Sequence, residues 1–300
     1  MIMATLHLFM ALTLSPLLLG IINRTKALFA GRTGQPLLQL YYDLAKLLRK
    51  GAVYSRTTTW VFRAGPVIGL ASVLMASALV PFGGRPSLLS FPGDFLVLAC
   101  LLGLARFFTI LAALDTGSSF EGMGASREAA FSALAEPALL LSLAAVALRS
   151  GRLSLSSMLV SPLAWGHLAP ALWLVAAAVF VVLLAENARV PVDDPATHLE
   201  LTMIHEVMVL DHSGPDLAFI LYGAALKLWI LGAVWVGIVA PFGGMNPWTG
   251  TLFALAAILG LAVFIGVIES LMARLRLSRI PPLLVGAGVC ALLALLVARP

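Results

Sequence analysis

The chain is written in long apolar runs separated by short polar stretches, and the length of those runs sets the architecture. A helix needs about 20 mostly apolar residues to cross a bilayer. About eight segments qualify: 2–22, 60–80, 94–114, 128–148, 168–189, 216–240, 252–273 and 280–298. Hydrocarbon leaves only helices or closed barrels to satisfy the backbone, and the strict alternation of barrel strands is missing. The pattern therefore predicts an all-α integral membrane protein, a single multi-pass domain over residues 1–300. The first run has no Lys or Arg ahead of it, unlike a secretory signal, and is expected to stay as a span.

One further helix follows from a different period. In QPLLQLYYDLAKLLRKG, residues Leu37, Leu40, Tyr41, Leu44, Leu47 and Leu48 recur at helical spacing, with Gln39, Asp43, Lys46 and Lys50 mostly opposite. Such a helix lies at the membrane interface, as an anchor or as the wall of a cavity, and Gly51 is expected to end it. VPFGG at 80–84 and APFGG at 240–244 echo each other at the ends of two spans, a similarity of turn chemistry.

Composition agrees with this picture. Hydrophobic residues make up 61% and charged residues 11%, against roughly 45–50% and 25% in a soluble domain. A net charge of +5 would suit a nucleic acid, but the basic residues collect at span ends, which is a topology signal, so no nucleic acid is expected as a partner. The connections after spans one, three, five and seven carry Arg24, Lys26, Arg32, Lys46, Arg49, Lys50, Arg56, Arg127, Arg189, Arg274, Arg276 and Arg279; the others carry only Arg85, Arg149 and Arg152. That asymmetry assigns the odd connections to the cytoplasm and both termini to the outside. Cys100 and Cys290 lie far apart in apolar runs, without metal-ligand spacing, and read as small buried side chains.

Charges inside the runs need partners. At about 1.5 Å per residue, Arg106 and Glu136 lie roughly 12–13 Å deep, Lys227 roughly 17 Å, and Glu186 and Glu269 about 5 Å. A central Arg or Lys costs about 2.5–3.5 kcal/mol on the insertion scale, so such residues face the bundle interior. Matching depth makes Arg106–Glu136 a candidate ion pair, which serves either to lock helix packing or to carry charge. Glu186 borders an acidic loop and is placed to pass protons between loop and bundle. Glu269 either snorkels beside Arg274 or belongs inside.

Two loops concentrate chemistry. DTGSSFEGMGASREAAFSALAEP holds Asp115, Glu121, Arg127 and Glu128; its GxG lacks a preceding strand and a P-loop lysine, so no nucleotide site is inferred. Ser126 is expected to cap a helix starting near Arg127. The second loop, AENARVPVDDPATHLELTMIHEVMVLDHSG, carries Asp193, Asp194, His198, Glu200, His205, Glu206, Asp211 and His212. His205 and Glu206 begin an HExxH-like run, but Val209 stands where the second histidine belongs, so no zinc site is expected. His198, Thr202 and His205 would share one face of a helix. Mixed histidines and carboxylates in a poorly hydrated cleft relay protons near neutral pH, or the loop simply grips a soluble partner.

At these loops the chain resembles subunit 1 of respiratory Complex I, and more closely the corresponding membrane subunit of membrane-bound NiFe hydrogenases of the formate hydrogenlyase and energy-converting type. The resemblance rests on GMGASREAAFSALAEPALLL, PFGG, the long acidic loop and ESLMARLRLSRIPPLL, and covers nearly the whole chain. Quinone-reducing members typically carry an EAESE run that is absent here, which points to the hydrogenase branch; a quinone-site subunit of a Complex I-type NADH dehydrogenase is the alternative. The resemblance implies a non-catalytic subunit in the bacterial or archaeal cytoplasmic membrane. It would dock hydrogenase large and small (iron–sulfur) subunits through its cytoplasmic loops and connect them to antiporter-like membrane subunits. It would bind no cofactor itself, the NiFe centre and iron–sulfur clusters belonging to its partners. By the same resemblance, Glu136, Glu186, Glu200 and Glu206 would belong to the mouth of a proton or sodium path, with Arg106 and Arg127 as counter-charges and Asp43 on the amphipathic helix.

Overall fold

The computed structural model describes residues 2–160, 169–193, 203–240, 242 and 245–298. Its elements are α1 (Ile2–Phe29), α2 (Gln39–Leu48), α3 (Trp60–Ser77), α4 (Asp94–Asp115), α5 (Ser119–Ser150), α6 (Leu155–Val160), α7 (Ala169–Glu186), α8 (Gly214–Val239), α9 (Pro247–Leu271) and α10 (Ile280–Val297). Seven of these are long and apolar enough to cross a membrane, and α7 contributes a shorter apolar helix. The protein is thus an all-helical integral membrane protein. Helix α3 packs on α4 and α8, α10 on α5 and α7, and α1 on α8 and α9, so α8 runs through the middle. Its Leu226, Trp229, Ile230, Leu231 and Val234 are among the most buried side chains.

Polar segments gather at two ends of the bundle. At one end, Gly83, in the left-handed region at φ 59°, packs so tightly on Gly250 and Thr251 that a Cβ there would lie 2.8 Å from the Thr251 Cα. Beside it, Gly84 presses on Phe242, so the two PFGG echoes meet across the fold. Buried Asp94 closes this end by accepting from the Ser154 hydroxyl (2.7 Å) and the Leu155 N–H (2.6 Å), which starts α6. The opposite end holds the connections rich in Lys and Arg. There the Val53 N–H donates to Ser213 Oγ (3.1 Å), the Thr59 N–H to Asp115 (2.6 Å) and the Leu275 N–H to the Pro191 carbonyl (2.9 Å).

Several boundaries differ from the sequence expectation. Helix α1 continues to Phe29, and α2 stops at Leu48 with Arg49 as its cap, ahead of Gly51. Helix α5 starts at Ser119, not near Glu128, so Glu121, Arg127 and Glu128 are helical. Ser126 is therefore not a cap; its hydroxyl donates to the Met123 carbonyl inside the helix. Of the two glycines that suggested a loop, Gly122 faces open space and Gly124 serves packing: a Cβ on it would lie 2.4 Å from Val207 Cγ1 and 3.0 Å from the Ile204 carbonyl oxygen.

Candidate functional site: a buried chain of ion pairs

Arg106, on the inward face of α4, is 8% exposed and is surrounded by carboxylates. Its Nη2 donates to Glu186 at 2.6 Å, its Nε lies 3.2 Å from Glu128, and its Nη1 meets Glu136. The expected Arg106–Glu136 pair is therefore present, but it is one spoke of three. Glu186 continues the chain to Lys227 Nζ on α8, 3.5 Å away. Glu128 continues it the other way to His205 Nε2, 3.1 Å away.

Depth counted from helix ends misplaced this chain. Glu186 is the last residue of α7, yet it meets Lys227, which lies thirteen residues after the start of α8. Thirteen helical residues rise roughly 20 Å, more than the two side chains together span. The start of α8 therefore extends well past the end of α7, which lies level with the end of α9, where Arg189 meets Glu269 and the Pro191 carbonyl accepts from the Leu275 N–H. Arg189, Val190, Pro191, Val192 and Asp193 are all buried, so this irregular backbone is covered by protein.

Asp193 anchors the return of this connection. Its Oδ2 accepts from the Ile204 N–H (3.2 Å) and the His205 N–H (3.1 Å), and lies 3.5 Å from His205 Nδ1; its Oδ1 meets Arg274 at 2.9 Å. Burial raises the Asp193 pKa, but His205 and Arg274 outweigh it and hold the carboxyl below its usual range. A cavity of about 10 Å³, close to the least volume that holds one water, is lined by Glu128, Ser132, Ala135, Glu186 and His205 among others.

Glu269 belongs to a second cluster. The expected neighbour Arg274 is committed to Asp193; Glu269 is fully buried and pairs with Lys26 (2.8 Å) and Arg189 (3.4 Å). It sits on the inner face of α9, where snorkelling has no route to water.

The remaining expected residues divide. Arg127 donates to the Met203 carbonyl at 2.9 Å, which ties α5 to the loop. Glu121, wholly buried, accepts from the Asp211 N–H at 3.0 Å, while the Asp211 side chain is exposed. Glu206 opens a short 3-10 turn, Glu206–Val209, and is half-buried. Asp43 accepts from Gln39 on its own helix (3.0 Å) and is not brought to the cluster by any ion pair among the described residues. Asp194, His198 and Glu200 lie outside the described residues, as does Thr202. His205 sits in a turn, so the shared helical face with His198 and Thr202 is not supported at the one position described.

Sequence reasoning missed Lys26 and Arg189 as site residues and counted them only toward topology; Arg274 was set beside Glu269 and instead meets Asp193. Nothing in a sequence separates a basic residue at a span end that faces water from one that faces a buried carboxylate.

The chain as a whole is similar to several known proteins. Formate hydrogenlyase subunit 4 of Escherichia coli (strain K12) is 34% identical over 282 residues, covering 91% of this chain and 90% of that protein. Hydrogenase-4 component C of the same organism is 34% identical over 233 residues, covering 77% and 73%. A subunit of the NADH-quinone oxidoreductase of Syntrophotalea carbinolica is 27% identical over 272 residues, covering 81% and 76%. The fold matches a chain of the membrane-bound sulfane sulfur reductase, an archaeal respiratory membrane complex, with a TM-score of 0.80 over 98% of both chains at 20% identity. A family profile described as NADH dehydrogenase spans residues 1–299. With the 34% relatives and the eight-helix bundle, this makes the chain a member of the NADH dehydrogenase family, of the Complex I subunit 1 type.

Proposed function

We propose that this chain is the membrane anchor and coupling subunit of a membrane-bound NiFe hydrogenase complex, linking redox chemistry in a docked arm to ion movement through its buried charges. The observation that carries the reading is the unbroken chain His205–Glu128–Arg106–Glu186–Lys227, which runs from a loop at the basic end to the middle of α8. A protonation change at the loop end alters the field at every later pair, because interactions in a poorly hydrated interior are weakly screened. The basic end is the cytoplasmic one in this reading, and both termini are outside. Hydrogenase large and small subunits dock there, antiporter-like subunits flank the bundle, and the NiFe centre and iron–sulfur clusters belong to the docked arm. The hydrogenase relatives match at 34% identity and the quinone oxidoreductase relative at 27%, which favours this reading over a quinone-site subunit.

Glu136→Gln and Glu186→Gln keep side-chain shape and remove charge. In membrane vesicles holding the assembled complex, each is expected to leave hydrogen turnover measurable and to abolish most of the ion gradient. A full gradient in both variants, with normal assembly, sinks the reading.

A further inference from the structure

His205 is faced by charge from each element packed round it. From α5, Glu128 Oε2 lies 3.1 Å from Nε2, and from the buried segment after α7, Asp193 Oδ2 lies 3.5 Å from Nδ1. Behind Glu128 stand Arg106 on α4, Glu136 on α5, Glu186 at the end of α7 and Lys227 on α8. Behind Asp193 stands Arg274 from the α9–α10 connection. A neutral imidazole has one donor nitrogen and one acceptor nitrogen, whereas an ionised carboxylate only accepts. Here both nitrogens face carboxylate oxygens, so a neutral ring would set a lone pair against one of them. With both carboxylates ionised, the doubly protonated ring is the form that suits both neighbours.

Charge balance points the same way. The linked pairs join four carboxylates to three permanent cations. The side chains of Glu128, Asp193 and Glu186 are at most 7% exposed, and an uncompensated charge at such burial is expensive. Among the described residues of these pairs, a charged His205 supplies a fourth cation beside the four carboxylates.

We propose that His205 is the seat of the exchangeable proton in this cluster, held on both ring nitrogens between Glu128 and Asp193, and that the ion this site accepts is a proton and not sodium. The inference rests on the coupling reading and gives it an ion. Release moves one proton from a ring nitrogen to water, leaves a neutral imidazole and lowers the charge of the linked groups by one. A hard cation instead collects several oxygen ligands, and these carboxylate oxygens are already engaged by Arg106, Arg274 and the Ile204 and His205 N–H groups. Burial lowers the imidazole pKa, but Glu128 and Asp193 outweigh it and push it up to about 9.

The test is nitrogen-15 NMR of the full-length chain, labelled at histidine, in lipid nanodiscs. His205→Gln identifies the signal among five histidines; should that variant not fold, the other four are changed singly and the signal that persists throughout is His205. Both ring nitrogens are expected to be protonated at neutral pH. Glu128→Gln and Asp193→Asn should each lower the titration midpoint by about one pH unit or more, equivalent to about tenfold in proton affinity. Exchanging potassium for sodium should leave the midpoint in place. A singly protonated ring at neutral pH, or displacement of the proton by sodium, overturns the inference. If Glu186→Gln still loses the gradient in that case, the coupling reading survives; if the ring is charged but the gradient is unaffected, the inference stands and the coupling reading falls.

Discussion

Arg106 Nη2 stands 2.6 Å from Glu186 Oε1 and joins the middle of α4 to the last residue of α7. The same guanidinium also meets Glu128 and Glu136, so one cation is shared by three carboxylates. A lysine, with its compact point charge, does not reproduce that fork.

Removing one partner of a buried pair costs about 3–5 kcal/mol, because the other charge is left uncompensated. Arg106→Met is therefore expected to unfold at markedly lower temperature in detergent, or to fail to accumulate in membranes. Adding Glu136→Gln removes the carboxylate whose ion pair among the described residues is with Arg106 alone, and should recover part of the loss. Strictly additive effects in the double variant would show that the two residues do not share an interaction.

Alkaline stability should depend on His205. Burial opposes its charge, yet Glu128 and Asp193 raise its pKa from 6.5 to about 9 in the folded chain. Its contribution is then fully present below about 6.5 and is lost as pH rises through about 9. A tenfold change in proton affinity corresponds to about 1.4 kcal/mol, so the loss is on the order of a few kcal/mol. Thermal melts of the full-length chain between neutral and strongly alkaline pH should fall for the native protein and stay flatter for His205→Gln. Parallel curves refute the assignment.

Acid stability should depend on His212. Its ring stacks on Phe62 with centroids 4.0 Å apart and is 5% exposed. Burial pulls its pKa down to about 4, against the attraction of Asp216 and Asp211. The unfolded chain takes up the proton first, so this contribution is present above about 6.5 and is lost as pH falls toward 4. His212→Phe keeps an aromatic ring on Phe62 and is expected to flatten the melting temperature between about pH 6.5 and 4. An unchanged acid slope would mean the ring is already charged in the fold.

Gly124→Ala tests whether contact between α5 and the loop matters for coupling. The added methyl would sit 2.4 Å from Val207 and 3.0 Å from the Ile204 carbonyl oxygen, one residue before His205. Overpacking of this kind costs about 1–3 kcal/mol, and it should push His205 away from Glu128. The expected result is an assembled complex with a reduced gradient per hydrogen turned over. Native coupling in this variant would show that the 3.1 Å contact is dispensable.

The candidate site was partly readable in advance, for reasons that differ by residue. Arg106 and Glu136 were paired correctly because both lie in the interior of long helices, where depth counted along the axis is meaningful. Glu186 and Lys227 were not, because the count took the neighbouring ends of α7 and α8 as level. Glu121 was assigned to a loop because glycines often form turns; in this fold it is helical, and Gly124 lets α5 approach Ile204 and Val207 closely. Glu269 was left between two roles because neither Lys26 nor Arg189 is near it in the chain.

By itself the sequence determined the class, the number of apolar helices, the amphipathic α2 and the end at which basic residues gather. Those features follow from the solubility of whole segments, and a run of about 20 apolar residues has few other fates. Only the tertiary structure decided which charges share a partner, that α8 begins well past the end of α7, and that Asp193 ties His205 to Arg274. Such pairings depend on where helices end and which faces meet, and a charge far along the chain from its partner carries no local mark of it.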